Sequence, residues 1–345
     1  MAMKSFCDPA HAQHAPRAEL SDGGLVAPYD SPHRVSAILD DLRRRGFPEP
    51  SAPRAHGLDP ILRVHTEPYV AFLRRIWDEW AATGQDSDLV PYIWPSRAMP
   101  RDVVPRSIAG RVGYYALAGD TPIGPGSYVG ARSAVDVALA AQAELARGTR
   151  AAFALCRPPG HHASRDMYGG YCFFNNAAIA AQAAVDQGAA RVAVLDVDVH
   201  HGNGTQAIFE ARSDVLTLSI HGDPSDFFPH FLGHADERGS GAGEGYNHNY
   251  PLPRGTDYAR WSEALEAAAE EITRFGPELL VVSLGVDTYE EDPIGFFRLK
   301  SEDFSCLGRR LEKLGLPTLF VMEGGYAVDA LGTNVVNVLA GFEEG

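Results

Sequence analysis

The sequence predicts an α/β fold built on a mainly parallel sheet with helices on both faces. Two observations lead there. From about residue 132 onward, helical and strand-like segments alternate, and the strand-like segments are short apolar runs rich in Val and Leu. Strands that read as continuous apolar runs are buried on both faces, and strands separated by helices need crossover connections, which give parallel pairing.

The elements follow in order. Ser31-Pro32 precedes HRVSAILDDLRRRGF, where a capping residue, an early proline and Gly46 near the end define a helix. Residues 87–130, beginning DSDLVPYIWPSRAMPRDVVPRS, carry several prolines and glycines without periodicity, so they are expected to form a long functional or interface-forming insert. Beyond it, SAVDVALAAQAELARG reads as helix, AAFAL as strand, NNAAIAAQAAVDQG as helix, and RVAVLDVDV and DVLTLSI as strands. YARWSEALEAAAEEITRFG then reads as helix, ELLVVSLGV as strand, DFSCLGRRLEKLG as helix, TLFVMEGG as strand, and 329–342 as a last helix. Nothing before residue 87 looks large enough to fold alone, and there is no internal repeat.

Bulk composition narrows the function. The longest apolar runs are strand-sized, well under the roughly 18–20 residues of a membrane span, so no membrane association is expected. The N-terminus MAMKSFCDPAHAQHAP lacks the apolar centre of a signal peptide, and Cys7, Cys156, Cys172 and Cys306 form no CxxC pair; both point to a cytoplasmic protein without a disulfide scaffold. The net charge of −15 opposes nucleic acid and anionic lipid as partners and suits a cationic substrate, although plain solubility explains the charge equally well.

Chemistry concentrates at strand ends, where ligands bind in parallel α/β sheets. CRPPGHHAS follows AAFAL, DVDVHHGNG follows RVAVL, VDT follows ELLVVSLG, and EGGY follows TLFVM. In DVDVHHGNG a strand period of two places Asp196, Asp198 and His200 on one face, so Asp198 and His200 can ligate one ion side by side. Asp287, an acid at the end of an apolar strand, is the expected third ligand. Two carboxylates and one imidazole leave an open position, as catalytic zinc requires, and the same set accepts iron(II) or cobalt(II).

RPPGHHA, GGYCFFNNAAIAA, LDVDVHHGNGTQ, SLGVDT and MEGGY, ordered and spaced as they stand here, resemble the zinc-dependent deacetylases of the arginase–deacetylase fold, and among them the acetylpolyamine amidohydrolases. The resemblance implies a single domain, 1–345, around an eight-stranded sheet. It implies zinc on Asp198, His200 and Asp287, catalytic His161 and His162, and Tyr326 as the transition-state tyrosine. It also pairs Asp196 with His161 and Asn203 with His162, which favours His162 as the main base and acid, because a neutral amide stabilises imidazolium less than a carboxylate does. By the same resemblance, structural K⁺ would be bound by Asp196 and Ser219 side chains with backbone oxygens of Asp198, His200 and Ile220. A second K⁺ would take carbonyls of Phe209, Arg212, Val215 and Tyr246. Tyr171 and Phe228 match aromatics that line a narrow substrate channel, Gly170 would lend a carbonyl, and Ile294 is counted among the substrate-binding positions.

The resemblance further implies a homodimer through the 87–130 insert, which in relatives narrows the active-site mouth. Asp120 falls where relatives place an acid near that mouth, whereas the position eleven residues earlier, acidic in some relatives, is Ala109 here. The expected substrate is a small cationic acetyl-amine such as an acetylated polyamine or acetylcadaverine. The alternatives are an acetyl-lysine protein or peptide deacetylase and a non-catalytic polyamine-binding metalloprotein.

Overall fold

The computed structural model describes residues 3–345. Among these residues there are nine strands: β1 (Lys4–Phe6), β2 (Glu19–Ser21), β3 (Gly24–Val26), β4 (Ala151–Ala154), β5 (Val192–Asp196), β6 (Val215–Gly222), β7 (Asn247–Leu252), β8 (Leu279–Leu284) and β9 (Thr318–Met322). Strands β2 and β3 form an antiparallel hairpin, and the other seven form one parallel sheet in the order β1-β4-β9-β8-β5-β6-β7. The helices are α1 (His33–Arg44), α2 (Asp59–Leu62), α3 (Glu67–Ala81), α4 (Ile108–Tyr114), α5 (Ser127–Leu145), α6 (Asn176–Asp186), α7 (Asn203–Phe209), α8 (Tyr258–Phe275), α9 (Ser301–Glu312) and α10 (Val328–Glu344).

The α/β class with a parallel sheet is as the sequence predicts; the strand count is seven, not eight. Beside β1 the eighth position is reduced to Ser51, whose N–H donates to Ser5 O (2.9 Å) and whose carbonyl accepts from Cys7 N (3.1 Å). Pro48, Pro50 and Pro53 flank it, and residues without an N–H cannot extend a ladder.

Alternate residues of the central strands enter two separate cores. Ala152, Val194, Val281 and Val321 face one, which includes residues of α3, α5 and α6; Phe153, Leu195, Val282 and Phe320 face the other, with residues of α1, α8, α9 and α10. This double burial is why the strands read as unbroken apolar runs. Consecutive strands β4 and β5 lie on opposite sides of the β9–β8 pair, which the chain fills only after reversing direction beyond β7, so outward and returning runs meet on both flanks of that pair. The four polar strand ends singled out in the sequence belong to the four adjacent strands β4-β9-β8-β5 and open into one crevice at this switch point.

The 87–130 insert is irregular apart from α4 and the first residues of α5; the first turn of α4 is capped by the Ser107 hydroxyl accepting from Gly110 N (3.2 Å). Leu89 and Ile123 exchange two backbone hydrogen bonds of 2.9 Å and close its base. It leaves Tyr92 77% and Val103 73% exposed, together with Ile93 and Met99. No helix among the described residues is long and apolar enough to cross a membrane.

Candidate metal centre and active site

Strand β5 ends at Asp196, earlier than the strand period of two assumes, and residues 198–200 continue as bends. The alternation survives because side chains lock it: Asp196 Oδ1 accepts from Asp198 N (3.1 Å) and Asp198 Oδ1 accepts from His200 N (2.9 Å). Asp198 and His200 are thereby placed together. Asp287, just beyond β8, accepts from Val199 N through Oδ1 (2.8 Å), which draws the two strand ends together.

Asp198, His200 and Asp287 each offer a ligand atom within 4.8 Å of the others, and all three are buried. His200 Nδ1 lies 3.1 Å from Asp198 Oδ1 and 3.3 Å from Asp287 Oδ2. Burial and the charge of Asp198 push the Asp287 carboxyl up to about 7. Burial also opposes charge on Asp198, but the imidazoles of His161 and His200 outweigh it and hold that acid well below the carboxylate range. Two acids in one dry enclosure call for a cation. Asp287 Oδ2 is buried and has no hydrogen-bond partner, and a Cβ on Gly324 would collide with Oδ2 of both Asp198 and Asp287. An orphaned carboxylate oxygen, glycine-lined space and an O,O,N donor set fit a divalent metal ion.

The tandem histidines follow β4. Their rings are 4.0 Å apart, and His162 lies 5.9 Å from His200. His161 Nδ1 donates to Asp196 Oδ2 (2.9 Å). Burial, the largest effect, works against its charge, yet Asp196, Asp198 and Glu323 together hold it well above the usual histidine value. His162 Nδ1 is 2.6 Å from Asn203 Oδ1, and the amide nitrogen of Asn203 reaches His162 O (3.4 Å), so the amide oxygen faces the ring and Nδ1 is the donor. That tautomer leaves Nε2 bare. Burial, then the charges of His161 and His200, push His162 well below the usual value, so it stays neutral. One imidazole is kept charged and its neighbour is kept as a free base.

Tyr326, beyond β9, is buried, with its ring 5.5 Å from that of Tyr171. Burial holds its phenol well above the ordinary value, so it remains a proton-bearing donor. Tyr171 sits in a tight turn: Gly169 and Cys172 exchange two 3.0 Å backbone hydrogen bonds while Gly170 (φ 55) and Tyr171 (φ 66) are both left-handed. At Gly170 any side chain would strike the His162 ring. Phe228 packs edge-on against His162 at 5.1 Å, so Tyr171 and Phe228 stand beside the tandem histidines and Tyr326.

The insert grips this turn. Tyr115 and Leu117 pair with Tyr168, Asp120 Oδ1 accepts from Gly170 N (2.9 Å), and Thr121 Oγ1 accepts from Tyr171 N (2.7 Å). Ala109 lies in α4 and carries no acid to this region. Ile294 is half-buried on the loop after β8, its N–H donating to Asp292 Oδ1 (3.2 Å). On the sheet, Asp196 and Ser219 are register partners in β5 and β6, with Ile220 next along β6. Phe209 ends α7, Arg212 follows it, Val215 opens β6, and the Tyr246 carbonyl accepts from Thr217 N (3.0 Å).

The histone deacetylase domain family matches residues 28–342. The chain belongs to that family. It is 54% identical to acetylpolyamine amidohydrolase 2 of Pseudomonas aeruginosa over 96% of each chain, and 49% identical to acetylpolyamine amidohydrolase of Mycoplana ramosa over 96% of this chain and 97% of that protein. Its fold superposes on the crystal structure of acetylpolyamine aminohydrolase from Burkholderia pseudomallei with a TM-score of 0.94 at 40% identity, covering 99% and 98% of the two chains. Membership makes it a hydrolase of acetyl amides.

Several residues of this deacetylase-family site escape sequence reasoning. Arg34 is fully buried, donating to Gly325 O (2.7 Å) and Asp30 Oδ1 (2.7 Å) with its guanidinium 4.8 Å from the Tyr326 ring centre. Its signal was present: Arg34 falls on the same stripe of α1 as Ile38 and Leu42, a charge at a core position. Asp292 Oδ2 accepts from Tyr326 N (2.6 Å) and Ala327 N (3.1 Å), and Glu323 Oε2 accepts from Gly160 N (2.6 Å) and His161 N (3.1 Å). Glu19 Oε1 accepts from the Tyr171 hydroxyl (2.8 Å), and no local pattern marks that pairing of residues 152 positions apart.

Proposed function

We propose that this enzyme hydrolyses the acetyl amide of acetylated polyamines or similarly small acetyl-amines, releasing acetate and the free amine with the help of zinc. The observation that carries the reading is the joining of a three-residue metal enclosure, a neutral imidazole and a phenol at one crevice of a chain 54% identical to an acetylpolyamine amidohydrolase. Asp198, His200 and Asp287 would hold the ion. When bound, it supplies Lewis-acid polarisation of the acetyl carbonyl and acidifies the attacking water.

The chain's own residues do the rest. His162, with Nδ1–H fixed by Asn203, takes a proton at Nε2 from water and delivers it to the departing amine. His161, charged and anchored on Asp196, biases the field toward developing negative charge. The Tyr326 hydroxyl donates to the oxyanion. Tyr171 and Phe228 flank the methylene chain, the Gly170 carbonyl takes the amide N–H, and Ile294 contributes apolar wall.

Farther out, Glu19 and Asp120 suit a distant ammonium group. Burial pushes Glu19 up to about 7 despite the hydrogen bonds it accepts from Tyr171 and Tyr29, and raises Asp120 too, so a cation would relieve both. K⁺ would serve as a structural ion between the paired Asp196 and Ser219, with backbone oxygens of Asp198, His200 and Ile220; a second would sit on carbonyls of Phe209, Arg212, Val215 and Tyr246.

A panel of acetylputrescine, acetylcadaverine, acetylspermidine and an acetyl-lysine peptide on zinc-loaded enzyme tests the substrate. The expected result is a kcat/KM at least about tenfold higher for one of the small amines than for the peptide. A peptide preferred over every acetylated polyamine makes this a protein deacetylase instead.

The exposed Tyr92, Ile93, Met99 and Val103 of the insert support a homodimer through that segment, since large apolar side chains left in water are what a partner surface would cover. Light scattering should then give twice the 37.2 kDa chain mass, falling to one chain when residues within 87–130 are shortened. A monomeric full-length chain rejects the dimer.

A further inference from the structure

Glu323 is the residue that β9 places directly below the tyrosine loop, and it is wholly buried. Its side chain does not point to the metal enclosure. Oε2 accepts the N–H groups of Gly160 and His161, at 2.6 and 3.1 Å, at the turn that presents the tandem histidines. Its main chain is fixed at the same time: Glu323 N donates to Leu284 O of β8 (3.0 Å), and its carbonyl accepts from the buried Arg34. The next residue, Gly324, donates to Asp198 Oδ2 (2.8 Å). One side chain thus ties the loop after β4 to the strand end that carries Tyr326, three residues on.

We propose that Glu323 is a positioning residue, holding the backbone of Gly160 and His161 so that the two imidazoles keep a set distance from Tyr326. Without it two buried N–H groups lose their acceptor, and the turn can recover partners only by moving. Gly160 allows little movement in place, because it packs so closely on the Asn176 and Phe174 backbone that a Cβ would collide there. A displaced turn shifts both histidines together. The second carboxyl oxygen, Oε1, has no partner, and the carboxyl as a whole lies near His161 and Cys172. Burial, opposed by the charge of His161, pushes the carboxyl up to about 8, and what the two N–H groups require of it is only an acceptor oxygen at Oε2. The essential property is therefore an acceptor at that place, which a glutamine also supplies.

This inference rests on the reading that the tandem histidines move the proton, and the variants separate the two. Glu323→Gln should keep kcat within about threefold of the parent. Glu323→Met, similar in shape but without an acceptor, should lose about 10- to 100-fold in kcat, as small misplacements of catalytic groups do, with KM and bound metal unchanged. If Glu323→Met does not fold, Glu323→Ala takes its place and is read in the same way. An acceptor-free variant as active as the parent, or a Glu323→Gln enzyme as impaired as Glu323→Met, overturns the positioning role. His162→Ala is measured alongside. Full activity there sinks the proton-transfer reading itself, whereas an inactive His162→Ala beside an active Glu323→Met sinks only the role given to Glu323.

Discussion

Replacing Tyr326 with phenylalanine is expected to lower kcat by about 100- to 1,000-fold and leave KM within about threefold, the effect of removing one donor to a developing oxyanion. The size follows from the surroundings. The phenol is buried, its proton is retained at any working pH, and Arg34 lies over its ring. Its backbone is pinned by Asp292, and its ring rests edge-on against Tyr171 and Tyr29. Phenylalanine keeps every one of those packing contacts, so the variant isolates the hydroxyl. Steady-state kinetics on acetylputrescine, with calorimetric binding of the same amine, separates turnover from affinity. An unchanged kcat removes Tyr326 from the reaction.

The second large effect is expected at Asp287. Its Oδ1 is committed to Val199 N and its Oδ2 is an orphan beside His200, so alanine removes a proposed ligand and also frees the bend that carries Asp198 and His200. Asp287→Ala should lose both the bound metal and at least about 1,000-fold in kcat/KM, because without the ion neither carbonyl polarisation nor water acidification is available. Metal analysis of the purified variant beside its kinetics checks both. A variant that retains metal and turnover would show that Asp198 and His200 suffice.

Much of this was legible from residues alone, for a physical reason. Strands buried on both faces must be apolar throughout, so Val192–Asp196, Leu279–Leu284 and Thr318–Met322 announce themselves, and the acids and histidines that interrupt them stand out. Edge elements lack that signal. Lys4–Phe6 is three residues long, and Asn247–Leu252 is half polar because it lies at the sheet margin. Helix α3 carries a readable period, with Tyr69, Val70, Leu73 and Ile76 on one face, beside the aperiodic proline-rich insert.

In the site the division is similar. Residues proposed to touch substrate or metal cluster in short motifs, whereas the buried groups that brace them are partnered over long separations, Arg34 with Gly325 and Glu323 with His161. The second pairing is created by the sheet order, which places β4 beside β9, and the first by the packing of α1 beside α10; no local spacing encodes either. The period-two argument for Asp198 and His200 reached the right neighbours although β5 stops at Asp196, because side-chain to backbone hydrogen bonds carry the alternation two residues beyond the strand.

The central claim is that one ion on Asp198, His200 and Asp287 makes this site an acetyl-amide hydrolase. Titrating zinc into chelator-treated enzyme while following acetylputrescine hydrolysis tests it directly. Activity should start near zero, rise linearly and break at about one equivalent per chain, with no such rise in Asp287→Ala. Full hydrolysis by the thoroughly metal-stripped enzyme, or an Asp287→Ala titration that matches the parent, would contradict it.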